Sequence, residues 1–201
     1  MEIEDHGPAA TLARLEGTLD ICFRALTEGL VVAEALHAEK QWDPRADPHM
    51  FSHAVRREAL EVIKAQNPDA KAEDNLGAAM SGLHIAVGET DVLRVWHGFE
   101  GQVRLPSSDA GREFLRQPSS SAQFLPGFEP LVVPQICRTV LLWEHKDGQL
   151  SRFKLLRPVD AEAGKVVVDW EEPLLQRFAQ RMDDVVYRRR DTAAAQESQT
   201  S

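Results

Sequence analysis

Ile136-Cys-Arg-Thr-Val-Leu-Leu-Trp-Glu-His-Lys-Asp-Gly-Gln-Leu-Ser-Arg-Phe-Lys-Leu-Leu156 decides the fold. Ile136–Trp143 is nearly continuous apolar sequence, as in a central strand covered on both faces. Asp147–Gly148 is a tight-turn signal, and Leu150–Leu156 returns as the partner strand. Gly164 precedes Lys165–Trp170, which reads as the third strand of one meander. Pro173 then opens a last amphipathic helix. Leu174, Phe178, Met182, Val185 and Val186 share one face of it, with arginines opposite. Asp191–Ser201 is polar and without periodicity, the pattern of a disordered tail.

Upstream of the meander the period is also two. Leu83, Ile85 and Val87 alternate with His84 and Ala86, and Gly88-Glu-Thr90 turns the chain into Val92–His97. This reads as a β-hairpin, with a further short strand around Gln102–Leu105. Between hairpin and meander, residues 106–130 form a variable loop region. Asp109–Gln117 makes a short helix there, anchored by Phe114 and Leu115, and Pro118-Ser-Ser-Ser-Ala and Pro126–Gly127 mark flexible turns. A loop of this length inside a domain is a functional or mobile segment.

The N-terminal third is helical. Leu12, Leu15, Leu19, Cys22, Phe23, Leu26, Leu30 and Ala33 recur at steps of three and four within 11–40, placing them on one face. Gly17 and Gly29 each weaken that helix by about 1 kcal/mol relative to Ala, enough to predict a bend or break. Asp47–Pro48 reads as an N-cap followed by proline at the first helical position. A second helix follows to about Gln66, where Asn67–Pro68 stops it. The whole is an α+β chain: an N-terminal helical hairpin, an antiparallel sheet of hairpin plus three-stranded meander, and a C-terminal helix. A flexible N-terminus (1–10), one domain (11–190) and the tail (191–201) complete the expected organisation.

Bulk properties bound the function. The 201 residues fit one domain. With 43% apolar and 27% charged residues the composition is that of a soluble globular chain. Net charge of −9 argues against a general nucleic-acid surface. Cys22 and Cys137 give no disulfide framework and read as buried free thiols of a reducing cytoplasm. No export signal or membrane-length apolar run is present. Seventeen of 23 basic residues are Arg, a bias associated with GC-rich bacterial genomes.

No glycine-rich phosphate loop, Cys-x-x-Cys pair, nucleophile elbow or acidic metal loop occurs. The candidate sites are therefore short. His49 and His53 stand four apart on the second helix, a spacing that lets two imidazoles share a metal, with His37 or Asp43 as third ligand. Glu144-His-Lys146 has the acid-x-lysine spacing of metal-dependent nucleases, which Asp91 and Glu58 would complete. His84, His97 and His145 read as structural or exposed.

Trp42, Trp96 and the run Arg188-Arg-Arg190 are candidate contact residues for another protein. Trp96 falls on the sheet face opposite Leu93 and Val95, so both faces need a cover, from this chain or from a second copy. The expectation is a non-catalytic cytoplasmic binding or accessory protein without a cofactor, acting on another protein or on a second copy of itself. The alternative is a metal-dependent hydrolase or nuclease using His49/His53 or Glu144/Lys146.

Overall fold

In the computed structural model, helix α1 runs unbroken over Pro8–Lys40, starting three residues before the periodicity does because Pro8 fits the first helical turn. The structure describes residues 6–44, 46–67, 71–73, 83–117, 136–162 and 165–182. The expected tail (191–201), the residues of the loop region beyond 117, and Arg188, Arg189 and Arg190 lie outside the described residues. Gly29 does not break α1. A Cβ there would sit 2.6 Å from the Val55 carbonyl oxygen, so the missing side chain lets the second helix cross at close range.

That helix, α2 (Pro48–Gln66), begins as the sequence dictates: the Asp47 carboxylate accepts the Met50 backbone N–H at 2.9 Å. Phe51, Val55, Ala59 and Ile63 on its inner face meet Leu19, Leu26 and Leu30 of α1 in one buried cluster. The two helices make the expected hairpin.

Six strands follow in spatial order equal to sequence order: β1 (Lys71–Glu73), β2 (Leu83–Val87), β3 (Asp91–His97), β4 (Cys137–Lys146), β5 (Gln149–Glu162) and β6 (Lys165–Pro173). The hairpin β2–β3 and the meander β4–β5–β6 are antiparallel as read from the sequence. Both turn residues Asp147 and Gly148 have positive φ, as a two-residue hairpin loop requires. Two features go beyond that reading. The short β1 adds to the free side of β2, and β3 and β4 pair parallel, Asp91 opposite Cys137 and His97 opposite Trp143. A parallel join needs a crossover. Here the crossover is the 98–136 connection, which carries α3 (Asp109–Phe114). Instead of a strand over Gln102–Leu105, Phe99 and Gln102 form an isolated bridge around the left-handed Glu100 and Gly101.

The sheet therefore has two unlike faces. Leu93, Val95, Leu141, Trp143, Phe153 and Leu155 point to the helix pair. Leu174 and Phe178, at the start of a C-terminal helix α4 (residues 175–182), close the same core. Arg177 and Arg181 on its outer side both hold Glu16 of α1. On the other face Val140, Leu142 and Leu156 meet Phe114 and Leu115, with Trp96, Val103, Leu105 and Val166 packed around them. The described part of the crossover lies on this outer face, reaching Leu156 of β5 and Val166 of β6.

Among the described residues no helix is long and apolar enough to cross a membrane. Both cysteines are buried free thiols.

Candidate functional site

Parallel pairing of β3 with β4 has a direct consequence: the C-terminal ends of both strands finish at the same end of the sheet. His97 and His145 meet there with ring centroids 5.5 Å apart. His145 lies two residues after Trp143 and so on the same helix-facing side of β4, where it stacks on Phe51 of α2 at 4.8 Å. It is half-buried and not exposed at the turn. His97 packs on the fully buried Trp143 at 4.6 Å. His37 lies behind, between Phe51 and the half-exposed Trp42, its Nδ1 on the Ala33 carbonyl at 2.8 Å. The cluster is a wall of packed rings, edge-on and tilted around the stacked Phe51–His145 pair.

In front of this wall is a cavity of about 270 Å³. Its sides are His49, Ser52 and Arg56 of α2, Trp96 and His97 of β3, and Phe99 and Arg104 of the following turn. Ser52 Oγ donates to the Pro48 carbonyl at 2.8 Å and lies 3.4 Å from His97 Nδ1. Burial pushes the His97 imidazole down to about 4, helped by the positive charges of His145, Arg56, Arg104 and His49. His97 is thus neutral at ordinary pH. Burial lowers His145 as well, against the pull of Glu34. Among the described residues no carboxylate raises His97, so Ser52 and His97 do not form a nucleophilic triad.

The sequence candidates separate here. His49 faces the cavity, whereas His53 is exposed and its Nδ1 meets the Arg56 guanidinium at 3.1 Å. His37 is buried on its backbone acceptor and Asp43 is exposed. Among the described residues no group of three or more His, Cys, Asp or Glu could hold a metal ion.

Glu144 is committed elsewhere, accepting the Gly101 backbone N–H at 2.6 Å. Asp91 sits at the other end of the sheet, roughly 23 Å away at the strand rise per residue, and its carboxylate is taken by Arg14 at 2.8 Å. The acid-x-lysine set is not assembled. Trp96 lies on the outer face as expected, beneath the guanidinium of Arg94 at 4.2 Å. Arg94 is only 5% exposed, and burial, then the charge of Arg56, pulls it down to about 10.

Ser52, Arg56, Phe99 and Arg104 were not legible as site residues. The one available signal was that two histidines each end an apolar strand, which matters only once those strands are known to run parallel.

A second concavity lies on the outer face, beside β5 and β6. It encloses about 420 Å³ between the 99–105 segment and Lys154, Leu156, Lys165, Val166, Val168 and Glu171. Val167 and Val168 are 37% and 39% exposed on β6, which ends the strand order. Lys154 and Glu171 form an ion pair at 2.6 Å within this groove.

Compared with protein-family models, curated proteins and solved structures, the chain matches none of them.

Proposed function

We propose that this chain is a non-catalytic bacterial cytoplasmic binding protein that acts through contact with another polypeptide, made along β6. One observation carries the reading. Among the described residues a groove lies between the 99–105 segment and the outer face of β5 and β6, and the outer edge of β6 pairs with no strand. Unpaired edges are normally blunted, because their N–H and C=O groups recruit other strands. β6 carries charges at its ends (Lys165, Asp169, Glu171, Glu172) but three consecutive valines between them. An extended segment added to this edge would satisfy the backbone groups and place alternate side chains in the groove. Two buried free thiols suit a reducing compartment.

Native mass spectrometry of the tag-free protein from its own host, beside Val168→Lys in the groove, tests the reading. A defined complex lost in the variant, with the β6 amides protected from hydrogen exchange in the wild type alone, is the expected result. A monomer in both, with β6 amides exchanging freely, would overturn it.

A further inference from the structure

β5 runs further with β6 than with β4. Its pairing with β4 ends at Leu156 opposite Val140, whereas its pairing with β6 continues to Glu162 opposite Lys165. Residues 157–162 and 165–170 therefore form a two-stranded ribbon, to which no further strand is added among the described residues. Two strands alone make a weak sheet, and additional strands stabilise it. Val167 and Val168 stand exposed on the open strand of this ribbon.

The charges of β6 select what can be added there. Of its four charged side chains, two are matched from β5: Asp169 by Arg157 and Glu171 by Lys154, each at 2.6 Å. Lys165, the first residue of the strand, and Glu172, the last but one, have no ion-pair partner among the described residues. One unmatched charge of each sign at opposite ends of a strand is self-complementary when two copies run antiparallel, and repulsive when they run parallel in register.

The strand's own irregularity fixes the alignment. Trp170 pairs with Arg157 and Val168 with Pro158, so Asp169 has no partner on β5 and counts as an extra residue. With a two-fold axis at Val168, Lys165 then comes opposite the partner's Glu172, and Val167 opposite the partner's Trp170.

We propose, resting on the β6 reading, that the polypeptide seated on this edge is a second copy of the chain, its β6 antiparallel to the first about that axis. The pairing is isologous, so each contact is made twice. It turns two ribbons into one four-stranded sheet, β5–β6–β6–β5, with two Lys165–Glu172 ion pairs between copies. Val168 of each copy meets the partner's Val168 where the two outer-face grooves adjoin.

Sedimentation velocity of the purified, tag-free protein over a concentration series tests this. A dimer is expected, populated by about 100 μM, with the amides of residues 166–172 exchanging more slowly as concentration rises. Lys165→Glu and Glu172→Lys each replace two attractive contacts with two repulsive ones. Each is expected to weaken the dimer by about tenfold, with the fold unchanged by circular dichroism. Mixed in equal amounts, the two variants are complementary again and should form a heterodimer tighter than either makes alone. The double variant Lys165→Glu/Glu172→Lys should regain the wild-type dimer. A dimer untouched by the single variants, or one they weaken with no recovery in the mixture, would overturn the proposal. So would a monomer at every concentration. If that monomer still forms a complex in its own host with the β6 amides protected, the β6 reading stands and the second copy alone is lost.

Discussion

The Glu144 carboxylate accepts the backbone N–H of Gly101 at 2.6 Å and so fastens the turn after β3 to the strand beside it. Gly98, at the start of that turn, donates to the Trp143 carbonyl at 2.9 Å. Phe99 and Arg104 reach the cavity because this turn is held at both points. Glu144→Ala is expected to destabilise the protein by about 1.5–3 kcal/mol, the range for a hydrogen bond to a charged group. It should also loosen the turn, seen as faster amide exchange at Gly101 and Gln102 with the β4–β5 amides unchanged. Wild-type exchange rates at those two amides would contradict this.

The two glycines of α1 should respond in opposite directions. Gly17 is exposed with nothing within 4 Å of an added Cβ, whereas at Gly29 that carbon meets the Val55 carbonyl at 2.6 Å. Gly17→Ala is expected to raise stability by about 0.5–1 kcal/mol through helix propensity alone. Gly29→Ala gains the same propensity and is still expected to lose about 1–3 kcal/mol, because the helices must move apart. Urea midpoints of the two variants measure both signs in one experiment.

Arg14 and Asp91 join α1 to the start of β3, the carboxylate 3% exposed and the guanidinium 27%. Thr90 Oγ donates to the same carboxylate at 3.3 Å. Arg14→Met leaves Asp91 buried without its cation and is expected to cost about 3 kcal/mol, the low end for a broken buried pair because Arg14 is partly wet. Adding Asp91→Asn to that variant should recover part of the loss. A double-mutant cycle on chemical denaturation gives the number.

Acid should unfold the protein through its histidines. His84 and His97 are each pushed by burial from 6.5 to about 4. Between those values the unfolded chain binds more protons than the folded one, so stability is full above about pH 6.5, falls as pH drops, and levels off for these groups below about 4. Unfolding midpoints across this window should therefore slope downward toward acid, and His97→Gln should make the slope shallower. A slope identical in wild type and variant would remove His97 from the account.

Cys22 and Cys137 are both buried, and burial raises both thiols, Cys22 to about 12. The native protein should resist thiol-specific labelling near pH 8, with both cysteines reacting only as fast as the chain unfolds. Rapid labelling of either in buffer would show a local opening of α1 or of the β4 start.

Legibility followed the range of the interactions. Asp147–Gly148, the cap at Asp47, and the alternation in Leu83–Val87 are written in neighbouring residues, and each formed where the sequence places it. Gly29 was misread as a helix weakness because its reason is Val55, on another helix. The parallel alignment of Asp91 with Cys137 depends on how a long connection returns, which no local pattern records. Lys71–Glu73 is too short to show any period. The cavity was only half legible for the same reason. His49 was singled out for its spacing from His53, yet what surrounds it is Arg104 and His97, brought from elsewhere in the chain.

The parallel seam also sets the order in which the molecule can assemble. Hairpin β2–β3 and meander β4–β5–β6 each form from neighbours in sequence, whereas joining β3 to β4 requires the whole 98–136 connection to close first. Contacts between distant residues form slowly, since closure entropy is lost before they reward it. Refolding should therefore show two early, independent units and a late step in which they merge. Changes along Leu93–Val95 would slow that step, and changes in the Asp147–Gly148 turn would alter only the fast one.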